Sequence, residues 1–105
     1  MKITSGMFGL NAEVIQKLQS VFRQHKSVTK VVIFGSRAMD TAKTGSDIDL
    51  SILSSEISWT ELLKIETEID ELLLPYKVDL LIFESLENES LKNHIEHVGK
   101  LFYFS

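Results

Sequence analysis

A chain of 105 residues with 44% hydrophobic and 25% charged residues has the size and composition of one globular domain with a single core, so we expect one domain over residues 1–105. The formal net charge of -4 at pH 7 argues against nucleic acid as the main ligand, because neutralising several phosphates requires clustered Lys and Arg. The absence of cysteine excludes a disulfide framework and a cysteine-zinc site, and no apolar stretch is long enough to cross a bilayer, which predicts a cytoplasmic protein that binds no membrane.

Hydrophobic spacing predicts a first helix and then a buried strand. Asn11 is a suitable N-cap residue, and apolar residues recur behind it at three- and four-residue spacing, as on one face of an amphipathic helix. Residues 30–34 (KVVIF) form a continuous β-branched and aromatic run, which is typical of a strand buried on both faces. This strand leads into Gly35, and a short helix is predicted to begin near Arg37.

The middle of the chain predicts a two-faced strand and a second long helix. Over residues 48–53 (IDLSIL) apolar residues alternate, so one face packs inward while the other carries Asp49. Ser58 and Glu61 form a capping box for a helix that stops before Pro75. The core-facing stripe of this helix consists of Leu62, Ile65, Ile69, Leu72 and Leu73.

A third strand and a last helix complete the predicted order. Residues 77–83 (KVDLLIF) are an apolar run that contains one acid, Asp79. The last helix ends at Gly99, before the aromatic segment 101–104 (LFYF). Its apolar face carries Leu91, Ile95 and Val98. This order predicts an α/β (α+β) fold, a small mixed β-sheet flanked by helices.

The turn after the first strand is a candidate phosphate site. Gly35 and Ser36 lie where a strand passes into a helix, and helix N-termini offer free amide donors and the positive end of the dipole. Gly35 would allow close backbone approach, Ser36 would donate from its amide and hydroxyl, and Arg37 could make a bidentate phosphate contact. The alternative is an ordinary turn with a helix cap.

Three aspartates form a candidate metal site. Asp47 and Asp49 point to the same face of an extended segment, and if their strand lies beside that of Asp79, three acids converge, with raised pKa values unless a divalent metal compensates. Oxygen ligands favour Mg²⁺ or Mn²⁺, and two ions about 3.5–4 Å apart suit in-line phosphoryl transfer. The alternative leaves Asp47 in a turn and Asp49 at a loop cap, with Asp79 paired to Lys77 or Arg37.

The combination of these motifs resembles a known superfamily. Residues 35–49 read GS, ten intervening residues and DID, and together with the later strand acid they resemble nucleotidyltransferases of the DNA polymerase beta type. More narrowly, GSRA over 35–38 and SDIDL over 46–50 resemble the minimal nucleotidyltransferases, the MNT group. The resemblance runs from about Phe8 to the last residue. It departs in the connecting loop at Met39, Asp40 and Thr44.

The resemblance implies a set of site residues. The nucleotide-binding residues are Gly35, Ser36, Arg37 and Ser46. The metal-binding and catalytic residues are Asp47, Asp49 and Asp79, which would hold two Mg²⁺ ions, with Mn²⁺ as the other option. Asp79 would also help to deprotonate the acceptor hydroxyl. For Arg37 the alternative is a surface ion pair with Asp40 or Glu61.

The resemblance also implies a partner, because no acceptor-binding domain accompanies the catalytic core in the sequence. Minimal domains of this family are similar to antitoxins encoded beside HEPN proteins, which are helical RNases. The implied reaction transfers AMP from ATP to a tyrosine of such a HEPN toxin, within a hetero-oligomer. A binding module that neutralises the toxin by occlusion, with a vestigial nucleotide site, is the alternative. Transfer to a small molecule such as an aminoglycoside is a third and weaker interpretation.

The remaining histidines and aromatic residues are interpreted as structural. His94 and His97 lie three residues apart on the last helix without a third ligand at matching spacing, so both are interpreted as solvent-facing or helix-end residues. His25, near the end of the first helix, is interpreted as meeting the helix dipole. Trp59 and the aromatic residues of 102–104 are interpreted as core.

Overall fold

The computed structural model describes residues 7–43, 45–54 and 56–105, so Thr44 lies outside the described residues. The helices are α1 (Ala12–Arg23), α2 (Trp59–Asp70) and α3 (Glu89–Val98). The strands are β1 (Lys30–Phe34), β2 (Ile48–Ile52), β3 (Val78–Ile82) and β4 (Lys100–Phe104). Short 3-10 turns, Gly35–Arg37 and Phe83–Ser85, follow β1 and β3. Within the described ranges, no helix combines the length and the apolar character that crossing a membrane requires.

The strands form one mixed sheet in the order β3-β2-β1-β4. β2 and β3 are parallel, whereas β1 is antiparallel to both β2 and β4. The predicted small mixed sheet flanked by helices is therefore confirmed. The aromatic segment at the end of the chain, for which the sequence predicts no element, is β4, because its backbone pairs with β1.

The predicted N-caps of the first two long helices are confirmed. Asn11 Oδ1 accepts a hydrogen bond from the Val14 amide at 2.9 Å, and Ser58 Oγ accepts one from the Glu61 amide at 3.1 Å. Each side chain satisfies an amide that the first turn of a helix leaves unpaired. The Glu61 carboxylate serves a different purpose from the one a capping box predicts, as described below.

The C-terminal end of α2 differs from the prediction. The helix ends at Asp70, so the predicted core stripe does not continue through both following leucines. Leu72 still packs against the core, but Leu73 has a φ of 55° and 87% of its surface is exposed. Because Pro75 disfavours a helical conformation of the residue before it, the chain leaves the helix early and turns Leu73 outward.

Helices cover both faces of the sheet. α1 and α2 pack on the face that carries the fully buried Ile33 and Leu50. α3 packs on the opposite face, where Ile95 meets Val32 and Phe34 of β1. β1 is therefore buried on both faces, as predicted. Since side chains alternate along a strand, the acidic positions of β2 and β3 lie on the face that α3 covers.

A buried histidine connects the loop after α1 to α2. His25 Nδ1 lies 3.1 Å from Glu61 Oε2, and its Nε2 lies 2.8 Å from Glu68 Oε1. Because ionised carboxylates only accept hydrogen bonds, this geometry fits a ring with a proton on each nitrogen. The Ser27 hydroxyl donates to Glu61, and this bond, followed by the His25 contact, lowers the pKa of Glu61 while burial opposes the shift. The interpretation of His25 as a helix-dipole residue is wrong, since its ring serves two carboxylates.

Glu61→Gln is expected to lower the free energy of unfolding at neutral pH by about 1 kcal/mol, because the variant loses the charge that Ser27 and His25 contact and both groups are partly screened. A depressed carboxyl pKa contributes stability above the unfolded value of 4.5, and this contribution disappears as the pH falls through the folded pKa. The difference between variant and wild type should therefore shrink in acid. Urea unfolding at a series of pH values measures it.

The matched control is Glu66→Gln, on the same helix. Within the described residues the Glu66 carboxylate makes no hydrogen bond or ion pair. Equal losses of stability in the two variants at neutral pH would contradict the role given to the Glu61 contacts.

Candidate active site

Two aspartates lie side by side where β2 and β3 run in parallel. The register of these strands pairs Asp49 directly with Asp79. Asp47 lies immediately before β2 and is exposed, and the charge of its carboxylate acts on that of Asp49. The structure therefore places Asp49 and Asp79 side by side, with Asp47 two residues before Asp49.

The electrostatics of this cluster are those of crowded negative charges. Burial raises the pKa of Asp49, and the Asp79 carboxylate and then the Asp47 carboxylate raise this pKa further. The positive charge of a protonated His94 would act in the opposite direction and lower this pKa. Ionised Asp49 is thus disfavoured in the folded protein unless a cation approaches.

The alternative pairing of Asp79 is also present. Lys77 Nζ lies 3.7 Å from Asp79 Oδ1, with the two side chains 71% and 43% exposed. An ion pair this exposed is weak, because water and salt screen it and two mobile side chains must be held in place. The contact with Lys77 therefore does not prevent Asp79 from serving a ligand shared with Asp49.

The donor set fits a divalent cation. Within residues 7–43, 45–54 and 56–105, no three Asp, Glu, His or Cys side chains are already close enough to hold one ion, so the acids are not a preformed cage. Carboxylate oxygens are nevertheless the ligands that Mg²⁺ and Mn²⁺ prefer, and a cation would relieve the repulsion that raises the pKa of Asp49. The side chains that could hold it are those of Asp47, Asp49 and Asp79.

One of these acids explains why the candidate phosphate turn has a glycine at its first position. Gly35 has a φ of +73°, and a Cβ at this position would lie 2.5 Å from Asp49 Oδ2. The β1–β2 register, which pairs Phe34 with Asp49, produces this close approach. Only glycine can combine that conformation with that contact. The turn and the acids therefore form one site.

The next residue of the turn has donors to offer. Ser36 uses its carbonyl oxygen to accept from the Thr41 amide at 2.9 Å, and the Thr41 hydroxyl approaches the same oxygen at 3.3 Å. Within the described part of the chain, the amide and the hydroxyl of Ser36 form no hydrogen bond. Both groups can therefore reach an anion at the turn.

Arg37 is buried and points into the protein. Its guanidinium donates to the Ser46 carbonyl at 2.7 Å and 3.2 Å, to the Asp47 carbonyl at 3.3 Å and to the Phe8 carbonyl at 3.0 Å. It also lies 4.9 Å from the centre of the Tyr76 ring, and only 3% of the residue is exposed. This geometry fixes the backbone that leads into Asp47.

Each of the three guanidinium nitrogens of Arg37 thus already donates to a backbone carbonyl, and its phosphate contact stays a prediction. The alternative ion pair with Asp40 or Glu61 is wrong, because the guanidinium makes these bonds instead. Ser46 has a related place in the loop, because its hydroxyl accepts from the Lys43 amide at 2.9 Å and its carbonyl accepts from Arg37. The hydroxyl proton of Ser46 is still able to donate, so its nucleotide contact stays a prediction.

The structure adds one residue to the site that the sequence interpretation missed. The Gly35 amide donates to His94 Nε2 at 3.2 Å, and the His94 ring meets the Phe34 ring edge-on, with centroids 6.1 Å apart. The interpretation of His94 as solvent-facing or helix-end is wrong, whereas His97 is exposed as predicted. His94 lies three residues after Leu91 on the apolar face of α3, and this spacing could have shown that it points towards the sheet.

Sequence comparison places these features in a known family. Residues 16–105 match the family described as Polymerase beta, Nucleotidyltransferase. A protein of Methanocaldococcus jannaschii, provisionally named a protein adenylyltransferase, is 35% identical over 85 residues, which cover 80% of this chain and 86% of that protein. A second protein of that organism with the same provisional name is 34% identical over 85 residues. The protein is a nucleotidyltransferase. It belongs to the polymerase beta nucleotidyltransferase family.

Solved structures share the fold. A toxin-antitoxin crystal structure with AMP-PNP contains a chain with a TM-score of 0.70 and 20% identity, and the match covers 87% of this chain and 73% of that one. A complex of a tri-AMPylated HEPN toxin of Shewanella oneidensis with an MNT antitoxin gives a TM-score of 0.65 and 18% identity, covering 89% and 71% of the two chains. The predicted polymerase beta-like nucleotidyltransferase core is confirmed.

Gly35→Ala is expected to lower the free energy of unfolding by more than the roughly 1–2 kcal/mol that a left-handed conformation costs a residue with a Cβ. The added methyl group would also collide with Asp49 Oδ2. Gly45→Ala is the matched control, because Gly45 has a φ of +85° but, among the described residues beyond its chain neighbours, no atom lies within 4 Å of its Cβ position. Urea unfolding of both variants separates the backbone cost from the collision, and equal losses would contradict the proposed contact.

Asp49→Asn is expected to stabilise the metal-free protein at neutral pH, by less than about 1 kcal/mol because the acidic cluster is partly solvated. A carboxyl whose folded pKa is raised destabilises the folded state when it is ionised, and this cost develops as the pH rises from the unfolded value of 3.8 through the folded value. The two unfolding curves, recorded in EDTA, should therefore converge in acid. If the variant were less stable than wild type at neutral pH, burial and the repulsion from the neighbouring carboxylates would not be the main effects on stability at Asp49.

Proposed function

We propose that this chain transfers AMP from ATP to the hydroxyl of a tyrosine on a partner protein of the HEPN type, and that it acts as the antitoxin of that partner. The observation that carries the proposal is the contact of Gly35 with Asp49, which itself lies beside Asp79. A phosphate-binding turn and paired carboxylates within one site are what transfer from a nucleoside triphosphate requires. The membership of the chain in a nucleotidyltransferase family supports the same reaction.

The turn binds the triphosphate. The Ser36 amide and hydroxyl can donate to phosphate oxygens, and the missing side chain of Gly35 allows the anion to approach the backbone. Arg37 holds the loop that carries Asp47 in position, through its bonds to the carbonyls of Ser46 and Asp47. The arginine is therefore a positioning residue in this proposal.

The acids bind the metal and handle the proton. Asp47, Asp49 and Asp79 would hold the divalent ions, Mg²⁺ or Mn²⁺, which neutralise the charge of the triphosphate and of the leaving group when bound. The acceptor oxygen forms a bond to the α-phosphorus, the bond between this phosphorus and the bridging oxygen breaks, and pyrophosphate leaves. The proton of the acceptor hydroxyl passes to Asp79, which is partly exposed on the outermost strand of the sheet.

The protein acceptor is supported by the relatives. The two similar Methanocaldococcus proteins carry the provisional name of protein adenylyltransferase, and one structural neighbour contains an AMPylated HEPN toxin in complex with an MNT antitoxin. A second neighbour is a toxin-antitoxin complex with AMP-PNP, an analogue of ATP. This context supports ATP as the donor and a toxin side chain as the acceptor.

Asp47→Ala and Asp79→Ala are each expected to reduce the transfer of label from α-labelled ATP to the HEPN protein by at least about 100-fold, because each removes a carboxylate that the reaction needs. Purified chain, Mg²⁺ and the HEPN protein encoded beside it are the components, and mass spectrometry should find a mass increase of one or more AMP groups on tyrosine. Asp70→Ala, at the end of α2 on the other face of the sheet, is the control and should retain transfer.

Transfer that survives both alanine substitutions would contradict the assignment of the acids. Neutralisation of the toxin by variants that no longer transfer label would favour the alternative, in which the antitoxin acts by occlusion. Label on a small molecule in place of the HEPN protein would contradict the proposed acceptor.

A further inference from the structure

We propose that His94 is a residue of the nucleotide site that holds the Gly35 amide while the site is empty, and that a nucleotide phosphate binds by taking its place. The inference rests on the proposed function, because it concerns the same phosphate-binding turn. According to this inference, α3 takes part in nucleotide binding in addition to the GS motif and the strand acids.

The hydrogen bond fixes the state of the His94 ring. A backbone amide can only donate, so the Nε2 atom that lies 3.2 Å from the Gly35 nitrogen must carry its lone pair and no proton. The ring proton of this neutral imidazole is then on Nδ1. His94 thus accepts a hydrogen bond from the same Gly35 amide that could donate to an anion.

The packing of α3 fixes the position of the His94 ring at this contact. Ile95, next to His94, is buried against Val32 and Phe34, and the edge-on contact with the Phe34 ring orients the imidazole. α3 itself begins at the N-cap Asn88, whose side chain accepts from the Leu91 amide at 3.1 Å. The ring therefore meets the turn from a fixed helix rather than from a mobile loop.

The turn then offers hydrogen-bond donors to an anion, and these donors differ in whether they already have a partner. The Ser36 amide and hydroxyl have no partner within the described residues, whereas the Gly35 amide is already bound. One amide proton cannot serve the imidazole and a phosphate oxygen at full strength, so the phosphate must displace the ring. It can do so because a hydrogen bond to an anionic oxygen is stronger than one to a neutral nitrogen.

This exchange makes access to the Gly35 amide depend on the charge of the ligand. A neutral ligand such as adenosine has no oxyanion to displace the ring, so the Gly35 amide stays bound to His94. A triphosphate displaces the ring and gains this amide in addition to the donors of Ser36. His94 thus gives up the amide of Gly35, whose φ is +73°, only to a charged acceptor.

The first test observes the bond in the full-length wild-type chain by NMR. A scalar coupling across the hydrogen bond between the Gly35 amide nitrogen and His94 Nε2 is expected in the ligand-free protein. It should disappear when AMP-PNP and Mg²⁺ are added, and the Nε2 chemical shift should change with it. Adenosine at the same concentration should leave the coupling in place.

The second test measures the affinity of the chain for AMP-PNP with Mg²⁺ by calorimetry. His94→Ala is expected to bind about three- to tenfold more tightly than wild type, because one competing hydrogen bond of ordinary strength is removed. His97→Ala is the matched control on the same helix, where the exposed His97 ring is hydrogen-bonded to the Asn93 carbonyl, and its affinity should equal that of wild type. His94→Gln, which keeps an acceptor, should fall between wild type and His94→Ala.

The outcomes separate this inference from the proposed function. If wild type binds AMP-PNP while the coupling persists, or if His94→Ala binds with equal or lower affinity, the exchange is wrong and nucleotidyl transfer stands. If neither wild type nor His94→Ala binds AMP-PNP, both proposals fail. Binding by His94→Ala alone would show that the phosphate cannot displace the histidine and would contradict the exchange.

Discussion

The site depends on the parallel, in-register pairing of β2 with β3. This pairing sets Asp49 directly beside Asp79, and a shift of one residue would turn Asp79 to the opposite face, into the apolar layer under α1 and α2. Two carboxylates in neighbouring strands repel each other, and the raised pKa of Asp49 reports that cost. The surrounding apolar packing must fix the register against this repulsion, and it does so through fully buried residues that alternate with the acids, Ile48, Leu50 and Ile52.

The position of the acids also determines the conformation and contacts of several neighbouring residues. Gly35 has no side chain because Asp49 Oδ2 occupies the space where its Cβ would lie, and the Gly35 amide turns instead to His94. The loop that delivers Asp47 is held from behind by the buried Arg37. An arginine this buried is stabilised by carbonyl acceptors and by the Tyr76 ring, so it needs no carboxylate partner that would draw charge away from the acidic cluster. The local strain at the site is thus compensated by contacts that keep the acids available.

The sequence predicts the features that follow from local pattern. The strands, the N-caps and the shared face of the acids follow from periodicity and capping chemistry, and the structure confirms them. β4 could not be predicted in this way, because a short aromatic segment becomes a strand only by pairing with β1, which is distant in the sequence. The burial of Arg37 could not be predicted, because a long side chain beside a turn can reach either the solvent or the interior, and backbone carbonyl partners leave no signal in the sequence.

His94 shows how the last helix takes part in a site whose motif lies in the first half of the chain. The helix is held on the acidic face by Ile95, and Gly99 allows the chain to turn directly into β4, since a Cβ there would collide with the Ile95 carbonyl oxygen. β4 then pairs with β1, the strand that ends at Phe34 immediately before Gly35. The turn is therefore supported from both sides, by β2 through Asp49 and by the α3–β4 unit through His94. A change in the packing of α3 would reach the phosphate-binding turn without touching any residue of the GS or DID motif.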